Sequence, residues 1–147
     1  MNEGEAFSMT ITVPGHPRGK GRPRSTVIRG RSHVYTDAKT RSEEGAIRQI
    51  AGLAMGARAP YEGAVILRLC AYREIPASFS AKKRVAAEAG AISPTTKPDI
   101  DNYVKMTDAL NGVVWRDDSQ VVAIVAHKRF SDRPRLVIDV RSFGGPT

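Results

Sequence analysis

Cysteine and long apolar runs are both scarce in this sequence. Cys70 is the only cysteine in 147 residues, so no disulfide can form within the chain and a reducing, cytoplasmic location is expected. It lies in the apolar stretch 64–72, which predicts a buried and unreactive thiol. No apolar run approaches the roughly 20 residues of a membrane-spanning helix, and residues 1–8 do not resemble a signal peptide. We therefore expect an unsecreted protein with no membrane partner.

Acidic residues are missing from the stretch 7–36, although the same stretch is rich in cations. The whole chain carries a formal net charge of +8 and has a sequence pI near 10.1, which favours a nucleic-acid partner. Glycine and proline predict a basic loop over 14–33. Its cations are Arg18, Lys20, Arg22, Arg24, Arg29 and Arg31. Such a loop is either a solvated surface segment or an arm that binds phosphates.

The fragment GKGRPR within this loop superficially resembles a phosphate-binding glycine loop. However, it is not followed by the Ser or Thr of a GK[ST] motif, and the GxGxxG pattern is absent as well. Both patterns depend on glycines at fixed positions that let backbone amides approach phosphates. The sequence therefore predicts no nucleotide cofactor.

Apolar periodicity predicts a single α/β (α+β) domain over 1–147, with a mixed, mostly antiparallel sheet packed by two to three helices. The predicted strands are 7–13, 61–72, 120–130 and 135–143, with the last two forming an antiparallel hairpin. A short pairing of 27–29 with 34–36 is expected around Gly30. Asp37 is the expected N-cap of a helix over 38–57, and Ser80 that of a second helix ending near Gly90.

Two helix faces are predicted in more detail. On the 38–57 helix the buried stripe comprises Ala46, Ile47, Ile50, Ala51, Leu53, Ala54 and Ala57, and the outer side carries Arg41, Glu44 and Arg48. A third helix is expected to begin at Asp99 or Asp101 and to end at Leu110 or Gly112. Its buried stripe comprises Ile100, Tyr103, Val104, Thr107 and Leu110.

A third of the acidic residues lie in one window, residues 97–121, with the sequence KPDIDNYVKMTDALNGVVWRDDSQV. They are Asp99, Asp101, Asp108, Asp117 and Asp118. Four of them have an ordinary structural explanation: an aspartate before a helix caps it, Asp101 and Lys105 form an i,i+4 surface pair, and a DD pair marks a turn. Together, however, carboxylates from a helix start and a strand end offer the oxygen ligands that Mg²⁺ prefers.

These residues carry a resemblance. KPDIDNYVK followed by ALNGVVWRDDSQV resembles the signature of the RusA family of Holliday junction resolvases, and PGHPRGKGRPR is similar to the basic loop of phage-type members. The resemblance implies a metal-binding catalytic role for Asp99, Asp101 and Asp118, and a catalytic role for Lys105. Asp117 is interpreted as a supporting residue behind the ligands, and Asp108 as a surface residue.

The resemblance also implies Mg²⁺ as cofactor, with Mn²⁺ as a substitute, a homodimer with an α/β fold, and branched DNA as the substrate. The expected function is therefore paired nicking of a four-way junction, with the basic loop and Lys97 contacting DNA. Lys97-Pro98 departs from the family pattern, in which arginines precede the first aspartate. Two alternatives remain open: a less selective metal nuclease acting on flaps or duplex, and a non-catalytic binder of branched DNA.

Overall fold

The computed structural model describes residues 6–21, 24–35 and 37–144. The strands are β1 (Ser8–Pro14), β2 (Arg24–Ile28), β3 (Arg31–Tyr35), β4 (Val65–Glu74), β5 (Val121–Ser131) and β6 (Arg135–Ser142). The α-helices are α1 (Ala38–Met55), α2 (Ala81–Glu88) and α3 (Ile100–Lys105), and two 3₁₀ turns cover Met106–Leu110 and Asp118–Gln120. None of the helices described is both long and apolar enough to span a membrane.

Four strands form the main sheet in the order β1-β6-β4-β5. β6 pairs antiparallel with both β1 and β4, whereas β4 and β5 pair in parallel. The mixed, mostly antiparallel sheet of the predicted α+β class is thus confirmed, but the expected hairpin between the last two strands is wrong. An alternating pattern of apolar residues predicts a strand but does not determine which strands pair with it. The short connection 132–134 takes the chain past the end of β4, so β5 and β6 lie on opposite sides of β4.

One face of the sheet forms the core. The side chains pointing to this face are buried and alternate with half-buried or exposed ones on every strand but β5. They come from β1, β4 and β6: Met9, Ile11, Val13, Val65, Leu67, Leu69, Ala71, Leu136, Ile138 and Val140. α1 and the Met106–Leu110 turn cover them, and Trp115 is almost fully buried among them. The opposite face has no helix over it in the described part of the chain.

α1 begins where the sequence predicts. Asp37 is its N-cap and accepts a hydrogen bond from the Thr40 backbone N–H at 2.9 Å, which satisfies one of the unpaired donors of the first turn. The predicted stripe was too wide, because Leu53 is 78% exposed and Ala54 is also exposed, whereas Ile47, Ala51 and Met55 are buried. Alanines and a single leucine do not fix which side of a helix faces the core.

The predicted basic loop 14–33 is only partly a loop. β2 and β3 form a two-stranded antiparallel hairpin that pairs Arg24 with Tyr35 and Ile28 with Arg31, so residues 24–35 are a hairpin and not a loop. The hairpin around Gly30 was predicted, but the predicted pairing of 27–29 with 34–36 is wrong in register, and residue 36 lies outside the described residues. Gly30 in its turn has φ +75°, a value that favours glycine. Proline excludes regular structure only near itself, so Pro23 did not predict a loop beyond Arg24.

α3 is shorter than predicted. The α-helix ends at Lys105 and the chain continues as the 3₁₀ turn Met106–Leu110. Near this change the Thr107 hydroxyl donates to the Val104 carbonyl at 2.7 Å, so a side chain competes for a helix acceptor. Because a 3₁₀ turn has three residues per turn, the buried face rotates. Met106 is buried although it was outside the predicted stripe, and Ile100, which was in that stripe, is 40% exposed.

Candidate active site

Asp99 and Asp101 lie at the start of α3. Asp99 occupies the N-cap position, but its side chain makes no capping hydrogen bond. The capping explanation therefore does not account for its carboxylate. Asp101 Oδ2 lies 3.7 Å from Lys105 Nζ, and both side chains are more than half exposed. This is the i,i+4 geometry expected from the spacing, and it leaves the pair accessible to a ligand.

Lys105 also lines a cavity that reaches the second acidic segment. The cavity has a volume of about 240 Å³. Its lining residues are Leu67, Val104, Lys105, Thr107, Asp108, Trp115, Asp118, Val121 and Ile124. Apolar walls with a lysine and two aspartates at one cavity are typical of a binding site in which a few polar groups orient a ligand. The structure thus brings together Lys105 and Asp118, which are distant in sequence, and links Asp101 to them through Lys105.

Asp118 is oriented by a buried tryptophan. The indole N–H of Trp115 donates to Asp118 Oδ1 at 2.9 Å, and Trp115 is only 1% exposed. A buried indole N–H needs an acceptor, so the contact satisfies Trp115 and fixes the direction of the carboxylate. Sequence reasoning gave Trp115 no role and missed this contact.

Asp117 and Gln120 hold residues 117–120, which we call the DDSQ turn. Asp117 Oδ1 accepts from the Ser119 backbone N–H at 3.2 Å, and Gln120 Oε1 accepts from the backbone N–H of Asp117 at 2.9 Å. Together they form a capping box. This is a local supporting position, in keeping with the interpretation of Asp117, whose contribution to activity stays a prediction.

Gln120 also fastens the DDSQ turn to the loop before β4. Its Oε1 accepts from the Arg116 N–H at 2.8 Å, and its Nε2 donates to the carbonyls of Tyr61 at 2.7 Å and Gly63 at 3.0 Å. One side chain therefore satisfies four backbone groups, counting the Asp117 N–H. Sequence reasoning gave Gln120 no role, although its place three residues after Asp117 is the spacing of a capping box.

The loop that enters α3 is fastened by two further cations. Lys128 Nζ donates to the carbonyls of Thr96 at 2.8 Å and Pro98 at 3.1 Å. Arg73 Nη1 donates to the same Thr96 carbonyl at 2.9 Å. The Lys97-Pro98 peptide bond is cis. Both cations come from strands of the main sheet and fix the segment that presents Asp99, a role that nothing in their local sequence indicated.

The basic segment packs against α3 through Lys20. Its backbone N–H donates to the Asn102 carbonyl at 2.8 Å, and its Nζ lies 3.2 Å from Asp108 Oδ2 and 3.3 Å from Glu44 Oε1. Glu44 is therefore not on the outer side of α1 as predicted; its side chain is 19% exposed. A Cβ at Gly19 would lie 2.8 Å from Pro98 Cβ, so this close approach requires glycine.

The environment of Lys20 stabilises its charge. Burial acts to lower the pKa of Lys20, but the hydrogen bond to Asp108 and the negative charge of Glu44 together outweigh it and raise the pKa above its ordinary value of 10.5. Lys20 is thus a charged link between the basic segment, α1 and the turn after α3. Asp108 was interpreted as a surface residue, and its side chain is 52% exposed even though it contacts Lys20.

The other cations predicted to bind DNA lie in different environments. Arg18, Arg29, Arg31 and Lys97 are all exposed. Arg18 lines a cavity of about 340 Å³ that also includes Pro98, next to the α3 entry loop. Arg22 and the side chain of Arg24 lie outside the described residues. Their DNA-binding roles stay predictions.

The carboxylates suit a metal ion that keeps several bound waters better than one coordinated entirely by protein ligands. Over residues 6–21, 24–35 and 37–144, no three His, Cys, Asp or Glu side chains are close enough together to hold a metal ion. Asp99, Asp101 and Asp118 nevertheless offer only oxygen ligands, and Asp99 is not engaged in capping. Mg²⁺ keeps several waters and uses one or two protein carboxylates together with substrate oxygens. This donor set therefore fits Mg²⁺ as an open site shared with a substrate.

Comparison with known proteins assigns the family. A family model described as "Endodeoxyribonuclease RusA" matches residues 14–141, a span that includes every acidic residue of the site. The chain is also similar to a Bacillus subtilis (strain 168) protein named "Uncharacterized protein YqaN", with 39% identity over 137 residues, which cover 89% of this chain and 94% of the relative. The resemblance first carried by KPDIDNYVK and WRDDSQV is confirmed over most of the length. The chain belongs to the RusA endodeoxyribonuclease family.

Proposed function

We propose that this protein is a Mg²⁺-dependent endodeoxyribonuclease that resolves four-way DNA junctions by paired symmetric nicks in recombination and repair. The family and the net charge of +8 support a nuclease acting on DNA. The observation that carries the proposal is the position of Lys105, 3.7 Å from Asp101 and in the wall of the cavity that contains Asp118. A cation between two acidic segments can hold a phosphate where carboxylates alone would repel it.

The carboxylates of Asp99, Asp101 and Asp118 would hold the metal, with Mn²⁺ as a substitute. When bound, Mg²⁺ supplies charge neutralisation at the scissile phosphate and an activated water for in-line attack. Trp115 keeps Asp118 directed by the hydrogen bond to its Oδ1. Lys105 donates to the phosphate oxygens as negative charge develops on them, an interaction that is strongest away from bulk water. The cut would leave 5′-phosphate and 3′-hydroxyl ends.

A homodimer is part of the proposal. Two subunits related by a two-fold axis match the pseudo-two-fold symmetry of a four-way junction, because each subunit can nick one strand of an opposed pair. The exposed cations Arg18, Arg29, Arg31 and Lys97, together with Arg22 and Arg24, would contact the arms through their phosphates.

The decisive test is Asp101→Asn on a synthetic four-way junction. The variant should bind the junction as tightly as the wild type and should lose cleavage in both Mg²⁺ and Mn²⁺, because the amide keeps the shape but not the charge of the carboxylate. A linear duplex of the same sequence is the substrate control and separates junction selectivity from general nuclease activity. Retained cleavage would remove Asp101 from the site, and absence of wild-type cleavage with either metal would favour a non-catalytic binder.

Lys105→Ala tests whether the lysine acts in the chemical step. Its single-turnover cleavage rate should fall far more than its junction affinity, because the proposed contact strengthens in the transition state. Equal losses in rate and affinity would reduce Lys105 to an ordinary phosphate contact.

A further inference from the structure

The face of the main sheet that carries no helix is rich in arginine. Strand register places its side chains in rows, since residues on one face alternate with core residues. From β1 to β5, one row is Thr10, Asp139, Arg68 and Val125, and another is Pro14, Arg135, Tyr72 and Arg129. Arg141 lies on the same face beside Ile66. We call this surface the open face.

Four arginines on the open face are accompanied by two carboxylates, Asp139 and Glu74, the last residue of β4. Asp139 accepts hydrogen bonds from Thr10 Oγ1 at 3.0 Å and from Arg141 Nε at 2.9 Å, so it is already engaged on two sides. Within the described part of the chain, Arg68, Arg129 and Arg135 have no carboxylate partner. Their charges therefore add to a positive potential that the two carboxylates offset only in part, since four arginines outnumber them.

One of these arginines, Arg135, is positioned by the sheet. The guanidinium of Arg135 stacks on the Tyr72 ring, 3.8 Å from its centroid, and its Nη1 donates to the Arg133 carbonyl at 2.9 Å. Arg68 lines a shallow cavity of about 180 Å³ between β4, β5 and β6. Stacking restricts an arginine without removing its charge, so less conformational entropy is lost when it binds an anion.

The groups next to these arginines stay neutral. Burial is the main cause that raises the pKa of the Cys70 thiol and also that of the Tyr72 phenol above their ordinary values. Neither group therefore adds negative charge to the surface at neutral pH. Of the two carboxylates on the open face, Asp139 is paired with Thr10 and Arg141, and Glu74 Oε2 lies 3.8 Å from His16 Nε2.

A second copy of the chain does not suit this surface. A two-fold interface would bring two copies of this positively charged face together, and like charges brought together oppose association. A polyanion has the opposite charge to the arginines of this face and would be attracted to them. The open face also lies on the side of the sheet away from the candidate active site, because Leu67 and Ile124 line the catalytic cavity whereas the alternating Arg68 and Val125 face the other way.

We propose that the open face is a second DNA-binding surface that contacts the phosphate backbone of a duplex arm distant from the cut. It extends the proposed function, because a branched substrate has several arms and one face of this sheet cannot reach them all. The surface contributes charge and not base recognition, since arginines on a flat sheet contact phosphates without reading base edges.

The test compares three double variants in junction binding over a range of salt concentrations. Arg68→Gln with Arg129→Gln should lower the slope of log affinity against log salt by roughly 1 to 2 units, because each phosphate contact contributes about 0.9. Arg68→Lys with Arg129→Lys should restore most of the slope. Lys82→Gln with Arg133→Gln removes the same charge at exposed positions outside the open face and should leave the slope nearly unchanged.

Junctions with long and with short arms locate the contact. The glutamine variant should differ from the wild type on long arms and match it on arms too short to pass around the sheet. An unchanged slope, an equal change in the control variant, or an equal change on short arms would overturn the proposal. Cleavage of the junction by the wild type in Mg²⁺ is measured in parallel. If the wild type cleaves but the glutamine variant keeps the wild-type salt slope, only the role of the open face is rejected. If the glutamine variant lowers the slope but the wild type does not cleave, only the nuclease assignment is rejected.

Discussion

The two acidic segments of the candidate site differ in how firmly their side chains are held. In the DDSQ turn, Asp118 is fixed by the Trp115 indole, and Gln120 satisfies four backbone groups around it. At the start of α3, by contrast, Asp99 makes no capping bond, and among the described residues the ion pair of Asp101 is with Lys105, at 3.7 Å. The fold therefore orients the carboxylate in one half of the site, the prepared half. In the other half, the free half, the backbone is fastened by Lys128 and Arg73 but the carboxylates can adjust to a ligand.

We expect the largest loss of junction cleavage when the charge of Asp118, in the prepared half, is removed without a change in its geometry. Asp118→Asn keeps an oxygen that can accept from Trp115, so its free energy of unfolding should stay within about 0.5 kcal/mol of the wild type. Junction cleavage should nevertheless fall by about 10²–10³-fold, the usual effect of removing one electrostatic group from a catalytic centre. Single-turnover cleavage and urea unfolding measure the two quantities. Cleavage within a few-fold of the wild type would show that the firmly held carboxylate is only structural.

Gln120→Ala should loosen the prepared half. The Tyr61 and Gly63 carbonyls and two backbone N–H groups lose their partner, so unfolding should become easier by about 1–3 kcal/mol. The same substitution at Gln49, an exposed position of α1, is the matched control and should change stability by less than about 0.5 kcal/mol. If both variants lose the same stability in urea unfolding, the DDSQ turn does not depend on Gln120.

Lys20→Gln probes the link that fastens α3 to the basic segment. The pKa of Lys20 is raised above 10.5 in the folded state, so its stabilising contribution is fully present below the unfolded pKa and is lost as pH rises through the folded pKa. The wild type should exceed the variant by about 1 kcal/mol at neutral pH, and the difference should shrink above about pH 10.5.

Denaturant unfolding over a pH series measures that difference. Lys82→Gln, at an exposed position of α2, serves as the control and should show little difference from the wild type at any pH. A gap between the wild type and Lys20→Gln that stays constant through alkaline pH would contradict the assigned ion pairs.

The smallest effect on stability is expected at the free half. Asp99→Ala should change the free energy of unfolding by less than about 0.5 kcal/mol, because no capping hydrogen bond is lost. Ser80→Ala is the contrast, since the Ser80 side chain accepts from the Lys83 N–H at 3.2 Å, and it should cost about 1 kcal/mol. Thermal or urea unfolding of both variants decides the matter. A loss at Asp99 equal to that at Ser80 would return Asp99 to the role of a cap.

Local patterns in the sequence predicted what local physics determines. The alternation of Met9, Ile11 and Val13 identified β1, and Asp37 and Ser80 identified two helix starts, because each of these signals depends on neighbours a few residues away. The acidic window was recognised for a similar reason, since its residue types and spacing are contiguous. The roles of Asp99, Asp101, Lys105 and Asp118 in catalysis remain predictions.

What the sequence could not predict depends on contacts between distant segments. The parallel neighbour of β5 and the burial of Glu44 beside Lys20 follow from how the whole chain packs. Lys128 and Arg73 likewise had no predicted role, and both donate to the Thr96 carbonyl. A charge in a sequence does not reveal whether it binds a partner or fastens a loop, and only its neighbours in three dimensions distinguish the two.

The strand order β1-β6-β4-β5 has a consequence for how the chain reaches its native state. β1 pairs within the main sheet with β6 alone, and their paired residues, such as Ser8 and Arg141, are separated by nearly the whole sequence. During synthesis β1 must therefore wait, without a partner in this sheet, until β6 has been made. Pairings between such distant segments require a large loop to close before any contact compensates for it, which slows folding. Assembly of the sheet should thus be a late, cooperative event in which β6 joins both ends of the chain.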